Sequence, residues 1–235
     1  MTTFLLNETT ALDAGALTQA LPLEEQRAID RVIVTHAHFD HVATLPFLFE
    51  NVFGRDTPIE IAAPTSVLSA LRRHLFNDAL WPDFTRLPSR RRATVRFRPI
   101  RRGESYRAAD LSFRAVAVSH IVPTYGYLVS SGSASVLFSG DTGPTRALWK
   151  VADSAVNLKA IFLEVSFSDS QEPIARASMH LIPRLVEGEL AKCVTDAPVY
   201  LYHMKPPSVD AIRREVKALR NPRLRFLEQG QLLTF

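Results

Sequence analysis

Residues 35 to 41 read THAHFDH, which crowds His36, His38 and His41 around the carboxylate of Asp40 in a chain with only seven histidines. Neutral imidazole and carboxylate are ligands for first-row metals, and His-x-His-x-Asp-His on a turn can present four side chains to a small volume. Four donors are more than one open catalytic ion needs. A closed structural zinc site is typically rich in cysteine, whereas Cys193 is the only cysteine here and lies far from the motif. A catalytic pair of metals explains the surplus better.

The elements that must hold these donors show a shared rule. The apolar run RVIVT leads into His36, FRAVAVS into His120, SVLFSG into Asp141 and PVYLY into His203, while AIFLEVS carries Glu164. Such runs are buried strands, and ligands at the ends of neighbouring strands converge on one edge of a sheet. His120, Asp141 and His203 bring the donor count to seven, two sets of three with one carboxylate left to bridge. Between the strands, TSVLSALRRHLF sets Leu68, Leu71 and Leu75 at helical spacing. Near the end, SVDAIRREVKALRNP aligns Ile212, Val216 and Leu219 on one helical face and stops at Asn-Pro. TFLLNETTALDAG reads as a hairpin. Strands alternating with helices define an α/β class.

Length and composition agree. A chain of 235 residues with 46% hydrophobic and 22% charged residues supports one globular domain over 1–235, with no apolar run near the roughly 20 residues that span a bilayer. The start, MTTFLLNETT, has neither a basic nor a long apolar segment, so no secretory signal is read and a cytoplasmic location is expected. Much of the net charge of +4 comes from TRLPSRRRATVRFRPIRRGESYR, residues 85 to 107. A solvated edge strand with its flanking turn is expected there, with a phosphate or nucleic-acid contact surface as the second reading.

The order THAHFDH, SH at 119–120, SGDTG at 139–143 and YH at 202–203 resembles the metallo-β-lactamase fold superfamily over nearly the whole chain. That resemblance implies a four-layer αββα sandwich with a dinuclear site at one edge of the sheets. It implies that His36, His38 and His120 hold a first ion, that Asp40, His41 and His203 hold a second, and that Asp141 bridges them. Classical β-lactamases usually carry cysteine where Asp141 stands, which argues against antibiotic cleavage. FNDALWPDF, FSGDTGPTRALW, LEVSFSD, MHLIP and YHMKP resemble the class II 3',5'-cyclic-nucleotide phosphodiesterases, and HIVPTYGYLV is also similar to ribonuclease Z. The family usually has an extra strand and a glycine-rich turn ahead of the segment matching TTFLLN. The sequence starts almost at that segment, so an edge strand and part of a pocket wall are expected to be missing.

The resemblance implies two divalent ions, zinc first, with manganese and iron also suited to these donors. It implies hydrolysis of a cyclic nucleotide to its 5'-monophosphate by a metal-bridging hydroxide, with a ribonuclease Z-like RNA processor or a metal-stabilised binding protein as alternatives. A small-molecule nucleotide substrate is expected, with RNA as the alternative and no membrane partner; the resemblance is compatible with a homodimer, which no stripe in the sequence demonstrates. His180 in ASMHLIP is expected to protonate the leaving oxygen or, charged, to steady the transition state, and Asp40 to orient the attacking water as well as bind metal. Glu164 reads as a partner that fixes a histidine rather than as a ligand. Lys205, Asn77 and Trp81 are candidate substrate contacts, with Trp81 or Phe84 stacking on a base. His74 reads as structural or surface, Phe47, Phe49 and Phe53 as core, and Gly15 and Gly143 as tight turns beside the site.

Overall fold

A computed structural model describes residues 1–101 and 103–235, which form two compact units, Met1–Arg101 and Arg102–Phe235. Arg102 of the basic segment lies outside the described residues.

The first unit is built on a five-stranded sheet in the order β1 (Phe4–Asn7), β2 (Thr10–Leu12), β3 (Arg31–Ile33), β4 (Ile59–Ala63), β5 (Val95–Pro99). The β1–β2 hairpin expected from TFLLNETTALDAG is antiparallel, and β2 to β5 run parallel. Parallel strands are buried on both faces and read as continuous apolar runs, which is why Val32, Ile33 and Val34 are all 0% exposed. Five short helices connect and cover the strands: α1 (Leu17–Ala20), α2 (Leu23–Ala28), α3 (Phe39–Val42), α4 (Leu45–Asn51) and α5 (Thr65–His74). Leu68, Leu71 and Leu75 all reach the core, as their spacing requires.

Only one of the three phenylalanines after the metal motif follows the expectation. Phe49 is fully buried, whereas Phe47 and Phe53 are 50% and 52% exposed. The buried stripe of α4 is Leu45, Leu48 and Phe49, spaced i, i+3, i+4, which leaves Phe47 on the other face and Phe53 beyond the helix end.

The second unit holds a seven-stranded sheet, ordered in space β12 (Leu224–Phe226), β11 (Val199–Tyr202), β10 (Leu158–Glu164), β9 (Ala134–Phe138), β8 (Tyr125–Ser131), β7 (Leu111–Ala117), β6 (Ser105–Ala108). Strands β9 to β12 are parallel and β6 to β9 alternate. Because β7 and β9 are each antiparallel to β8, they run the same way, so β7, β9, β10 and β11 all end on one edge. His120, Asp141, Glu164 and His203 therefore leave or close strands at that edge. Its helices are α6 (Ala147–Ser154), α7 (Glu172–Ser178), α8 (Pro183–Leu190) and α9 (Val209–Ala218), with Trp149, Val186, Leu190, Ile212 and Val216 in the core. Among the described residues no helix is long and apolar enough to cross a membrane.

The basic segment supplies the expected edge strand: β5 ends the first sheet, with Arg96 and Arg98 exposed. The same segment also furnishes β6 at an edge of the second sheet.

Candidate metal centre

In the first unit the motif turns off β3 and into α3. His36 and His41 are 0% exposed, and the His36 ring lies 4.7 Å from that of His38 and 4.2 Å from that of His41. Three imidazoles drawn this close need a reason, and binding of divalent cations supplies one.

The turn is clamped by the residues after β2. Ala14 N–H donates to the carbonyl of His41 and Thr2 N–H to that of Asp40, both at 2.8 Å. Gly15 is obligatory there, because a Cβ would lie 1.9 Å from the Asp40 carbonyl oxygen. Beside it, Asp13 sits in the left-handed region at φ 58, a conformation that costs a non-glycine residue about 1–2 kcal/mol.

The strained Asp13 is the residue that sequence reasoning missed. Its carboxylate, 1% exposed, takes His41 Nδ1 at 2.7 Å, the Thr35 hydroxyl at 2.8 Å and the Thr35 N–H at 2.8 Å. With its proton on Asp13, the Thr35 oxygen accepts from His36 Nδ1–H at 3.0 Å. Both imidazoles are thereby held in the tautomer that carries its proton on Nδ1 and its lone pair on Nε2. The signal was present: an apolar strand, here the second arm of the hairpin, stopping at a carboxylate.

The second unit repeats this construction. Glu164, 0% exposed, accepts from His180 Nδ1 at 2.8 Å, from Thr142 N–H at 3.0 Å and from Ser166 Oγ–H at 2.9 Å. The Ser166 oxygen in turn accepts from His203 Nδ1–H at 2.9 Å, and His120 Nδ1–H donates to the Met179 carbonyl at 3.1 Å. Met179 and His203 adopt left-handed φ values of 54 and 67, so backbone strain is stored here too. Asp141 is 1% exposed, its Oδ2 lies 3.5 Å from His203 Nε2, and Asp141, His180 and His203 can each bring a ligand atom within 4.8 Å of the others. Gly143 N–H donates to the Ser119 carbonyl at 2.7 Å and ties the SGDTG turn to the residue before His120.

The donor chemistry therefore fits divalent metal: the imidazoles of His36, His41, His120 and His203 fixed through Nδ1, the buried carboxylate of Asp141, and no cysteine among them. His180 belongs to the same network. Burial alone would lower its pKa, but the Glu164 hydrogen bond and charge, aided by the Asp141 charge, outweigh this and raise it.

Residues 5–204 match the family described as the beta-lactamase superfamily domain, which covers most of the sequence and both units. The chain belongs to the metallo-β-lactamase superfamily. A probable 3',5'-cyclic-nucleotide phosphodiesterase of Yersinia pestis is 28% identical over 234 residues, 83% of this chain and 66% of the relative. The chain thus spans about two thirds of that relative's length. A ribonuclease Z of Crocosphaera subtropica is 34% identical over 104 residues, 43% of this chain and 30% of the relative. Unliganded yeast PDE1 shares the fold with a TM-score of 0.75 at 20% identity, covering 87% of this chain and 67% of the yeast chain. The superfamily fold and the likeness to cyclic-nucleotide phosphodiesterases read from the motifs are borne out by these relatives.

The remaining candidates lie elsewhere in their units. The Asn77 side chain is used in a turn: Oδ1 accepts from Ala79 and Leu80 N–H, and Nδ2 donates to the Arg73 carbonyl. Trp81 packs on the first core with its ring 5.5 Å from that of Phe47. Phe84 is only 5% exposed and packs on Phe49 and Phe53, so stacking by that stretch would fall to Trp81. His74 is exposed in the last turn of α5. Lys205 N–H donates to the Ser166 carbonyl at 3.0 Å, and its charge is felt by His180. A hollow of about 320 Å³ beside His120 is lined by Ile121, Val122, Pro123, Thr124 and Tyr125.

Proposed function

We propose that the chain is a dinuclear metal-dependent phosphodiesterase that opens 3',5'-cyclic nucleotides to 5'-monophosphates, with residues 1–235 acting as one hydrolase domain. The observation that carries this reading is the pair of histidine networks, each tied through Nδ1 to its own buried carboxylate, in a chain similar to a probable cyclic-nucleotide phosphodiesterase. His36, His38 and His120 would hold one ion, Asp40, His41 and His203 the other, and Asp141 both. When bound, two such ions make water acidic enough to yield hydroxide at neutral pH and neutralise charge on the phosphoryl oxygens.

The chain's own side chains do the rest. Asp40 orients the attacking water. His180, whose pKa the Glu164 hydrogen bond and charge raise against the effect of burial, gives the proton on Nε2 to the leaving 3'-oxygen as the P–O bond breaks, and Glu164 holds the ring in line through Nδ1. The hollow beside His120 offers Val122, Pro123 and Tyr125 as an apolar wall for a base.

The test is turnover of 3',5'-cyclic AMP by purified protein reconstituted with zinc or manganese, with Asp141→Asn as blank. Formation of 5'-AMP that vanishes in the variant supports the reading. Cleavage of a structured tRNA precursor without any action on cyclic nucleotides would overturn it in favour of a ribonuclease Z-like activity, which the similarity to the Crocosphaera enzyme keeps in play.

A further inference from the structure

Away from the metal motif, the first unit has a second concavity, of about 520 Å³, that no step above uses. Six arginines line it: Arg72 from α5, Arg86, Arg90, Arg91 and Arg92 from the loop before β5, and Arg96 from β5. Asp56 and Asp83 line it with them, and Asp78 pairs with Arg86 from outside the lining, which leaves three more arginines than carboxylates.

The six divide into two kinds. Three are anchored: Arg86 by Asp78 and Asp83, Arg92 by Asp56 at 3.4 Å, and Arg72 over the Phe97 ring at 5.1 Å from its centre. Arg90, Arg91 and Arg96 have no side-chain hydrogen bond, ion pair or ring contact among the described residues, although they share the concavity with the other three. The loop that carries them is itself built. Asp83, 9% exposed, accepts from Thr85 N–H at 3.0 Å and from Arg86 Nε at 2.9 Å, Thr94 N–H donates to the Leu87 carbonyl at 2.8 Å, and Arg92 N–H to that of Ser89 at 3.0 Å.

Arginines on an edge strand also deter edge-to-edge pairing, and that accounts for Arg96 and Arg98, which stand out from β5. It does not account for Arg86, Arg90, Arg91 and Arg92 on the loop or Arg72 on a helix, brought to the same hollow. Like charges gathered in this way repel unless an anion compensates them, and guanidinium forks are suited to phosphate oxygens.

We infer that this concavity is a binding site for a small-molecule polyphosphate, the run of two or three phosphates found in a nucleoside di- or triphosphate or in its inorganic counterpart. Convergence from a helix, a loop and a strand on one hollow favours a compact ligand over a nucleic-acid strand, which would call for a line of contacts. The volume lies within the roughly 300–1,000 Å³ usual for small-molecule sites and exceeds what a single phosphate needs.

The test is isothermal titration calorimetry at physiological salt with sodium tripolyphosphate, ATP and inorganic phosphate on the full chain, R90A/R91A/R96A, R90K/R91K/R96K and Asp141→Asn. One saturable site for tripolyphosphate is expected, weakened roughly 100-fold in the alanine variant, weakened less in the lysine variant, and unchanged in Asp141→Asn. Tighter binding of ATP than of tripolyphosphate would assign a nucleotide, and equal binding the bare phosphate chain. Absence of saturable binding, binding that survives the alanine variant, or binding lost in Asp141→Asn overturns the inference. So does single-stranded RNA bound through these arginines while tripolyphosphate is not. The three side chains are exposed, so an unchanged melting temperature verifies the fold of the variants, and R96A alone serves if the triple variant fails that check.

Discussion

The two units solve one problem with the same parts arranged differently. In Met1–Arg101 a buried carboxylate, Asp13, takes one histidine directly and a second through the Thr35 hydroxyl. In Arg102–Phe235 Glu164 takes His180 directly and His203 through the Ser166 hydroxyl. The difference lies in where the histidines come from. The first set is local, four donors within six residues of one turn, and only its buttress is distant in sequence. The second set is dispersed, with His120, Asp141 and His203 on three strand ends, and its carboxylate sits two residues from its relay hydroxyl. A local set depends on the turn being held in shape; a dispersed set depends on sheet register.

The largest effect should come from removing a donor on either side. His38→Ala in the local set and Asp141→Asn in the dispersed set are each expected to reduce cyclic-nucleotide turnover to the blank. A variant of one set that kept full turnover would break the equivalence of the two.

Next in size are the buttresses. Asp13→Asn and Glu164→Gln should each lower metal affinity or turnover by about 10- to 100-fold while leaving the ligands in place. Equilibrium metal titration with a chromogenic chelator reads this directly. A silent Asp13→Asn would mean that Thr35 and the turn suffice to orient His36 and His41.

Gly15→Ala should act on the local set alone. Its Cβ must displace the Asp40 carbonyl, and such overpacking costs about 1–3 kcal/mol, measurable by urea denaturation. An unchanged midpoint would show that the turn has slack.

The smallest effect concerns His180 in the dispersed network. Burial opposes the His180 charge, but Glu164 and Asp141 raise its pKa above the usual value near 6.5. A raised histidine adds stability fully present below its unfolded pKa and lost as pH rises through the folded one. Chelator-treated protein should therefore lose stability as pH climbs from about 6.5 past the folded value, and His180→Gln should flatten that slope. An equal slope in the variant would place the titration elsewhere.

Legibility from sequence followed the same division. The local set announced itself, because histidines spaced two and three apart have few other uses. The dispersed set was legible through apolar runs that stop at His120, Asp141 and His203, since burial on both faces writes an unbroken hydrophobic run into each strand. Thr35 and Ser166 were not legible, for hydroxyl residues occur everywhere and only geometry makes one a relay. Asp13 fell between these cases: its strand is three residues long, too short to read as more than the arm of a hairpin. The arginines of 85–107 were visible as charge, but the contribution of Arg72 from α5 emerged only when helix, loop and strand were placed around one hollow.

The proposed activity requires two divalent ions per chain. Metal content by inductively coupled plasma mass spectrometry, measured together with cyclic-nucleotide turnover, tests it most directly. Two divalent ions per chain are expected in the wild type, with fewer ions and no turnover in both His38→Ala and Asp141→Asn. Turnover by protein that holds no metal, or full metal content and activity in either variant, would contradict it.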